Sequence, residues 1–220
     1  MTPSRTRFLN RLGPVLGLAL LVGCAQTQPT RFYTLSSEAE PLIAASDLAI
    51  TVGPVGLPSY LDRPQLVVRT TPNQVTLAEF DAWIEPLETM LPRILAADLA
   101  TLLGTDRVVV LPQREPGRPD YRVEADFQRF DVEQAGQAVL EASWWVTTDE
   151  GTLVARDQAL ISEPFPPDGG APAMAAALSR ALGRLAGEIA RPIAARETPP
   201  APVPAEPRPR AAPAPARPPA

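Results

Sequence analysis

The sequence predicts an α+β fold, a mixed and mostly antiparallel β-sheet packed by two helices in the order ββββ-α-ββββ-α. Three observations carry that reading. "YRVEADFQRF" and "QAVLEASWWVTT" alternate apolar and polar residues with the period of two that a half-buried strand requires. Residues 84–102 and 174–189 instead repeat leucine and isoleucine at three- and four-residue spacing, the apolar stripe of a helix. Turn residues, among them "TPN", "QAG" and "DEG", separate these runs where the chain must reverse.

Taken in order, "RFYTL" is a short strand and "SDLAITVGPVGLP" a longer one ending at Pro58. "QLVVRT" and "QVTLAEF" flank "TPN" as a hairpin. Ile84, Leu87, Leu91, Leu95, Leu99 and Leu102 then line one helical face that Gly104 terminates. Pro86 suits the first turn of that helix. Pro92 costs roughly 3 kcal/mol in an interior, so a kink or a start near Leu91 is expected. "RVVVL" reads as a fully buried strand because its branched run is unbroken.

Tyr121, Val123, Ala125 and Phe127 share a face, after which the pattern slips by one to Phe130 and Val132. Such a slip marks a β-bulge. Ala138, Leu140, Ala142, Trp144 and Val146 share the face of the next strand, and "TLVARDQALIS" completes an antiparallel meander. The last helix opens at Pro172, carries Met174, Leu178, Leu182, Leu185 and Ile189 as its stripe, and ends at Arg191-Pro192.

The two ends differ in kind from this body. Arg5, Arg7 and Arg11 precede an apolar run from Leu12 to Val22, too short for the roughly 20 residues of a membrane span but right for a secretory leader. It closes on Leu21-Val22-Gly23-Cys24, which resembles the bacterial lipobox. That resemblance makes residues 1–23 a signal peptide and Cys24, the sole cysteine, a lipidated anchor. Ala25, rather than aspartate, follows the cysteine, which under lipoprotein sorting rules implies the periplasmic face of the outer membrane. Residues 24–31 are a tether, residues 32–196 the folded domain, and residues 197–220 a tail of Pro, Ala, Arg and Glu. Such a tail lacks the apolar residues of a core and reads as an extended spacer of about 3.1 Å per residue.

Composition narrows the chemistry. With no histidine there is no Ser-His pair and no imidazole ligand, and with no lysine there is no GxxxxGK[ST] phosphate loop. Residues 24–195 hold 13 arginines against 23 acidic residues, a net charge of −10, which opposes nucleic-acid binding through phosphate neutralisation. A carboxylate acid-base pair stays formally open, but the acidic residues alternate along strands or sit in turns, as on a solvated sheet face. The chain therefore reads as a non-enzymatic binding module that calls for no cofactor and no metal.

Two stretches carry a family resemblance. "VGPVGLPSYLDRPQLVVRT", followed by "LAEFDAWIEPLETMLPRILAADLATLLG", supplies Pro58, Tyr60, Leu61, Asp62, Arg63, Gln65 and Val67, then Trp83, Pro86 and Leu87. These resemble the pattern of the ABC-type transport auxiliary lipoproteins, the PqiC-like proteins, and "YRVEADFQRF" and "LEASWWV" fit the same family's later strands. The resemblance implies an accessory subunit of an MCE-type lipid transport system. Its partners would be an MCE-domain protein and an inner-membrane permease and ATPase, and self-assembly into a homo-oligomer is open.

Within it, Pro58, Tyr60, Leu61, Asp62, Arg63 and Trp83 are the candidate partner-binding residues. Two prolines stiffen the segment, and tyrosine and arginine are favoured interface anchors. The structural alternative has Tyr60 and Leu61 plugging the core while Asp62 and Arg63 pair to fix the turn. Other functional classes are a lipid carrier with a pocket between sheet and helices, and a structural envelope lipoprotein.

Overall fold

The computed structural model describes residues 28–112 and 117–197. The leader, Cys24 and the rest of the tether through residue 27, and the tail from residue 198 lie outside the described residues. Among the described residues the chain forms β1 (Arg31–Tyr33), β2 (Ile50–Gly56), β3 (Gln65–Thr71), β4 (Gln74–Trp83), α1 (Leu87–Leu102), β5 (Val108–Val110), β6 (Tyr121–Glu133), β7 (Gln137–Thr148), β8 (Leu153–Pro164) and α2 (Gly170–Glu197). This is the expected α+β order. The sheet is mixed. Antiparallel pairing carries the long junctions β3–β4, β6–β7 and β7–β8, and parallel pairing the short ones β1–β4, β2–β5, β2–β6 and β3–β6.

β6 organises the sheet. β7 follows one of its edges from end to end, and β8 follows β7. The opposite edge is shared. β2 pairs with its first half, from Ile50 opposite Tyr121 to Gly56 opposite Asp126, and β3 pairs with its end at Val132 and Glu133. Residues 57–64 bridge the gap between those two pairings. The bulge read from the alternation lies there too, as a register shift between Phe127 and Arg129 that returns Phe130 and Val132 to the inner face.

Both helices cover one face of the sheet. α1 packs on β2 and β5, α2 on β6, β7 and β8, and the two helices touch. Phe127, Phe130, Leu140, Ile161 and Leu182 are almost wholly removed from solvent where sheet and helices meet.

Four expectations need correction. α1 starts at Leu87, not near Leu91: the amides of Thr89 and Met90 both donate to Pro86, and the helix continues through Pro92. Proline removes only the amide that would reach Glu88, on the exposed side of the first turn, while Leu91, Ile94 and Leu95 are buried around it. α2 likewise passes Arg191-Pro192 and runs to Glu197. Ile193 and Ala194 are buried beyond the proline, and the Tyr121 hydroxyl donates to Glu197 at 2.8 Å. β5 is half-buried, because it is the last strand of its path and pairs with β2 alone. β2 begins at Ile50, and the residues before it form a strap across the helices.

That strap is held by polar groups the apolar pattern does not register. The amide of Ser36 donates to the Ser179 hydroxyl, and Leu42 donates to the Leu102 carbonyl at the end of α1. The hydroxyl of Ser37 and the amide of Glu38 both donate to the buried Asp98 carboxylate. Burial pushes that carboxyl above the ordinary aspartate range, against the lowering effect of these donors. Gly104 ends α1 as expected. Its φ of 58° and the Ala44 carbonyl oxygen, 2.6 Å from where a Cβ would stand, leave no room for a side chain.

A candidate partner-docking segment

The stretch from Pro58 to Pro64 is built as a rigid display. Pro58 is extended, Ser59–Leu61 form one 3-10 turn, and the amides of Leu61, Asp62 and Arg63 donate back to Pro58, Ser59 and Leu61. At its far end the Trp83 amide donates to the Pro64 carbonyl at 2.6 Å, fixing the segment to the end of β4. The segment cannot slide, because both ends continue into strands of one sheet.

Its side chains divide into two sets. Leu61 and Trp83 are core residues, with 2% and 4% of their surface exposed. Both lie beneath the segment and hold their neighbours in place. Asp62 is exposed, while Pro58, Tyr60 and Arg63 are half-buried. Tyr60 is latched from below: its hydroxyl donates to Asp131 Oδ2 at 3.2 Å, and the Arg69 guanidinium lies 6.0 Å from its ring centroid. Burial first, then the Asp131 charge, push the Tyr60 phenol above its ordinary value.

Arg63 is different. The expected pairing with Asp62 does not occur, and among the described residues Arg63 has no carboxylate in ion-pairing range. Its Nε is buried and donates to nothing. A buried donor without an acceptor costs roughly 1–3 kcal/mol, more when charged, so Arg63 is held on this segment without a compensating partner inside the fold.

The support beneath the segment is a cluster centred on Asp131, whose side chain is fully buried. Arg69 donates to Oδ2 through Nε at 3.1 Å and Nη2 at 2.6 Å, and Arg129 donates to Oδ1 through Nε at 2.8 Å. Arg129 also reaches Glu133 at 2.8 Å. The hydrogen bonds that Arg69 donates to Asp131 raise its guanidinium above the ordinary arginine value.

The ABC-type transport auxiliary lipoprotein component matches residues 33–190, well over half of the chain. The chain belongs to this family. It is a family of transport auxiliary lipoproteins and not of enzymes. None of the curated proteins compared with it matches. Two solved structures share the fold: an uncharacterized protein at 22% identity and a TM-score of 0.61, covering 76% of this chain and 99% of its own, and protein XCC0632 from Xanthomonas campestris at 19% identity and 0.63, covering 76% and 98%. At such identities the likeness is one of fold.

In this auxiliary lipoprotein the residues missed from sequence are Asp131, Arg69 and Arg129. The alternation of acidic residues along the strands assigned Asp131 to a solvated face. Tyr60 and the arginine stems close over Asp131 instead. The available signal was the order Arg129, Asp131, Glu133 on one strand face, a carboxylate placed next to its own cation. Among the described residues no helix is long and apolar enough to cross a membrane.

Proposed function

We propose that this auxiliary lipoprotein is anchored through Cys24 at the periplasmic face of the outer membrane and docks the periplasmic conduit of an MCE-type lipid transport system. Through that conduit it serves an inner-membrane permease and ATPase. It works by contact, and the Pro58–Pro64 segment is the contact. The observation that carries this reading is the unpaired Arg63, displayed on a segment that the sheet and the Asp131 cluster already hold in shape. A preformed segment loses little entropy on binding, and a partner carboxylate would pair with the Arg63 guanidinium, which has no ion-pair partner among the described residues.

Arg63 also gives a cleaner test than Tyr60, whose removal would disturb the Asp131 cluster. Arg63→Glu breaks no hydrogen bond among the described residues, so its melting temperature is expected to stay close to that of the wild type. Co-purification of the MCE-domain protein from detergent-solubilised envelopes is expected to fall at least about tenfold, the equivalent of 1.4 kcal/mol. Undiminished capture by a folded Arg63→Glu variant would refute docking through this segment.

A further inference from the structure

We propose that the corner formed by Phe32 and Ile84 is the surface this protein lays against the lipid bilayer. The inference rests on the reading of Cys24 as the anchor. Phe32 stands opposite Ala82 in the parallel β1–β4 ladder, and the Ile84 amide donates to the Tyr33 carbonyl, continuing that ladder by one residue. Phe32 and Ile84, the latter just past the end of β4 and two residues beyond Ala82, therefore lie at the same corner of the sheet edge. Each leaves 59% of its surface exposed, although the neighbouring Ala82 and Trp83 are buried. Two large apolar side chains displayed together at a strand edge are unfavourable in water and suit the apolar side of a membrane interface.

The length of chain that precedes the corner says what covers it. Six residues separate Cys24 from Arg31, so seven residue steps give a reach of at most about 25 Å when fully extended. An anchor on this line keeps the start of β1 within about 25 Å of the bilayer, nearer than any later part of the chain is required to lie, and Phe32 is the second residue of β1. Charge at the corner agrees. The body is strongly acidic, but here Arg31 is neutralised by Asp81 and Arg93 by Glu85, so approach to a phospholipid surface meets no unbalanced carboxylate from these pairs. Because Trp83 is bonded to Pro64, the same corner holds the docking segment close to the bilayer.

The test uses the acylated full chain in phosphatidylcholine vesicles. Cys24 is the only cysteine and its sulfur is taken by lipid, so a cysteine introduced at Phe32→Cys, Ile84→Cys or Leu160→Cys takes an environment-sensitive fluorophore uniquely. Leu160 is the control. It is 74% exposed on β8, five strand positions from β1 and so about 24 Å away. Nitroxide-labelled phospholipid is expected to quench the probes at 32 and 84 by about half or more and the probe at 160 by less than about a tenth. Equal quenching at all three sites, or none at 32 and 84 while the protein still floats with the vesicles, overturns the proposal. Shielding of 32 and 84 from aqueous iodide without nitroxide quenching would assign the corner to a protein contact and also overturn it. Failure to float at all would instead sink the anchor reading itself, and flotation tells the two failures apart.

Discussion

Asp131→Ala is expected to destabilise the folded domain by about 3–5 kcal/mol, measured as a shift of the urea or thermal midpoint. The cost does not come from the attraction that is lost, since a buried ion pair is roughly balanced by the desolvation of its partners. It comes from what remains. Arg69 and Arg129, only 20% and 21% exposed at the side chain, would both keep their charge and lose the acceptor they share, and the Tyr60 hydroxyl would lose its own. Replacing Arg69 by methionine in the same chain is therefore expected to recover part of the loss, which simple deletion of a favourable contact would not allow. A local consequence follows as well. With Tyr60 unlatched, amide exchange at 59–63 is expected to rise more than exchange in the β6–β7 ladder.

Phe130→Ala is expected to cost a similar amount, about 3–5 kcal/mol, by leaving a cavity at the centre of the sheet–helix interface. Phe130 is 2% exposed and meets Phe127 edge to face, with ring centroids 6.0 Å apart and an interplanar angle of 87°. Both rings point inward only because the bulge between them takes up one residue. For a domain of this size the melting temperature is expected to fall by about 6 °C or more. Leu160→Ala, on the exposed side of β8, is the matched control and is expected to stay within about 0.5 kcal/mol of the wild type.

Local patterning made the meander from β6 to β8 legible, bulge included, because each of those strands has one wet and one dry face. The two helices were legible in position and misread in extent. Pro92 and Pro192 are breakers by their own chemistry, and what overrides them is the burial of residues on either side, which only the folded packing supplies. "RVVVL" misled for the opposite reason: a run of valines looks the same on an open edge as in a sheet centre. Strand order was beyond reach, since β2 and β3 meet β6 through pairings far apart in sequence.

At the site, the two prolines of "PSYLDRP" bracket the 3-10 turn that the structure places between β2 and β3. Which of its side chains face inward depended on the sheet beneath. Leu61 is drawn into the core, Tyr60 is held by an aspartate 71 residues away, and Arg63 is left over.

Docking through that leftover arginine is tested most directly in intact cells, with a photo-crosslinking amino acid at Asp62, the exposed residue beside Arg63, and a second at Leu160. Docking through the segment requires that Asp62 capture the MCE-domain protein and that Leu160 not do so. Silence at Asp62, or capture from Leu160 in its place, would contradict it.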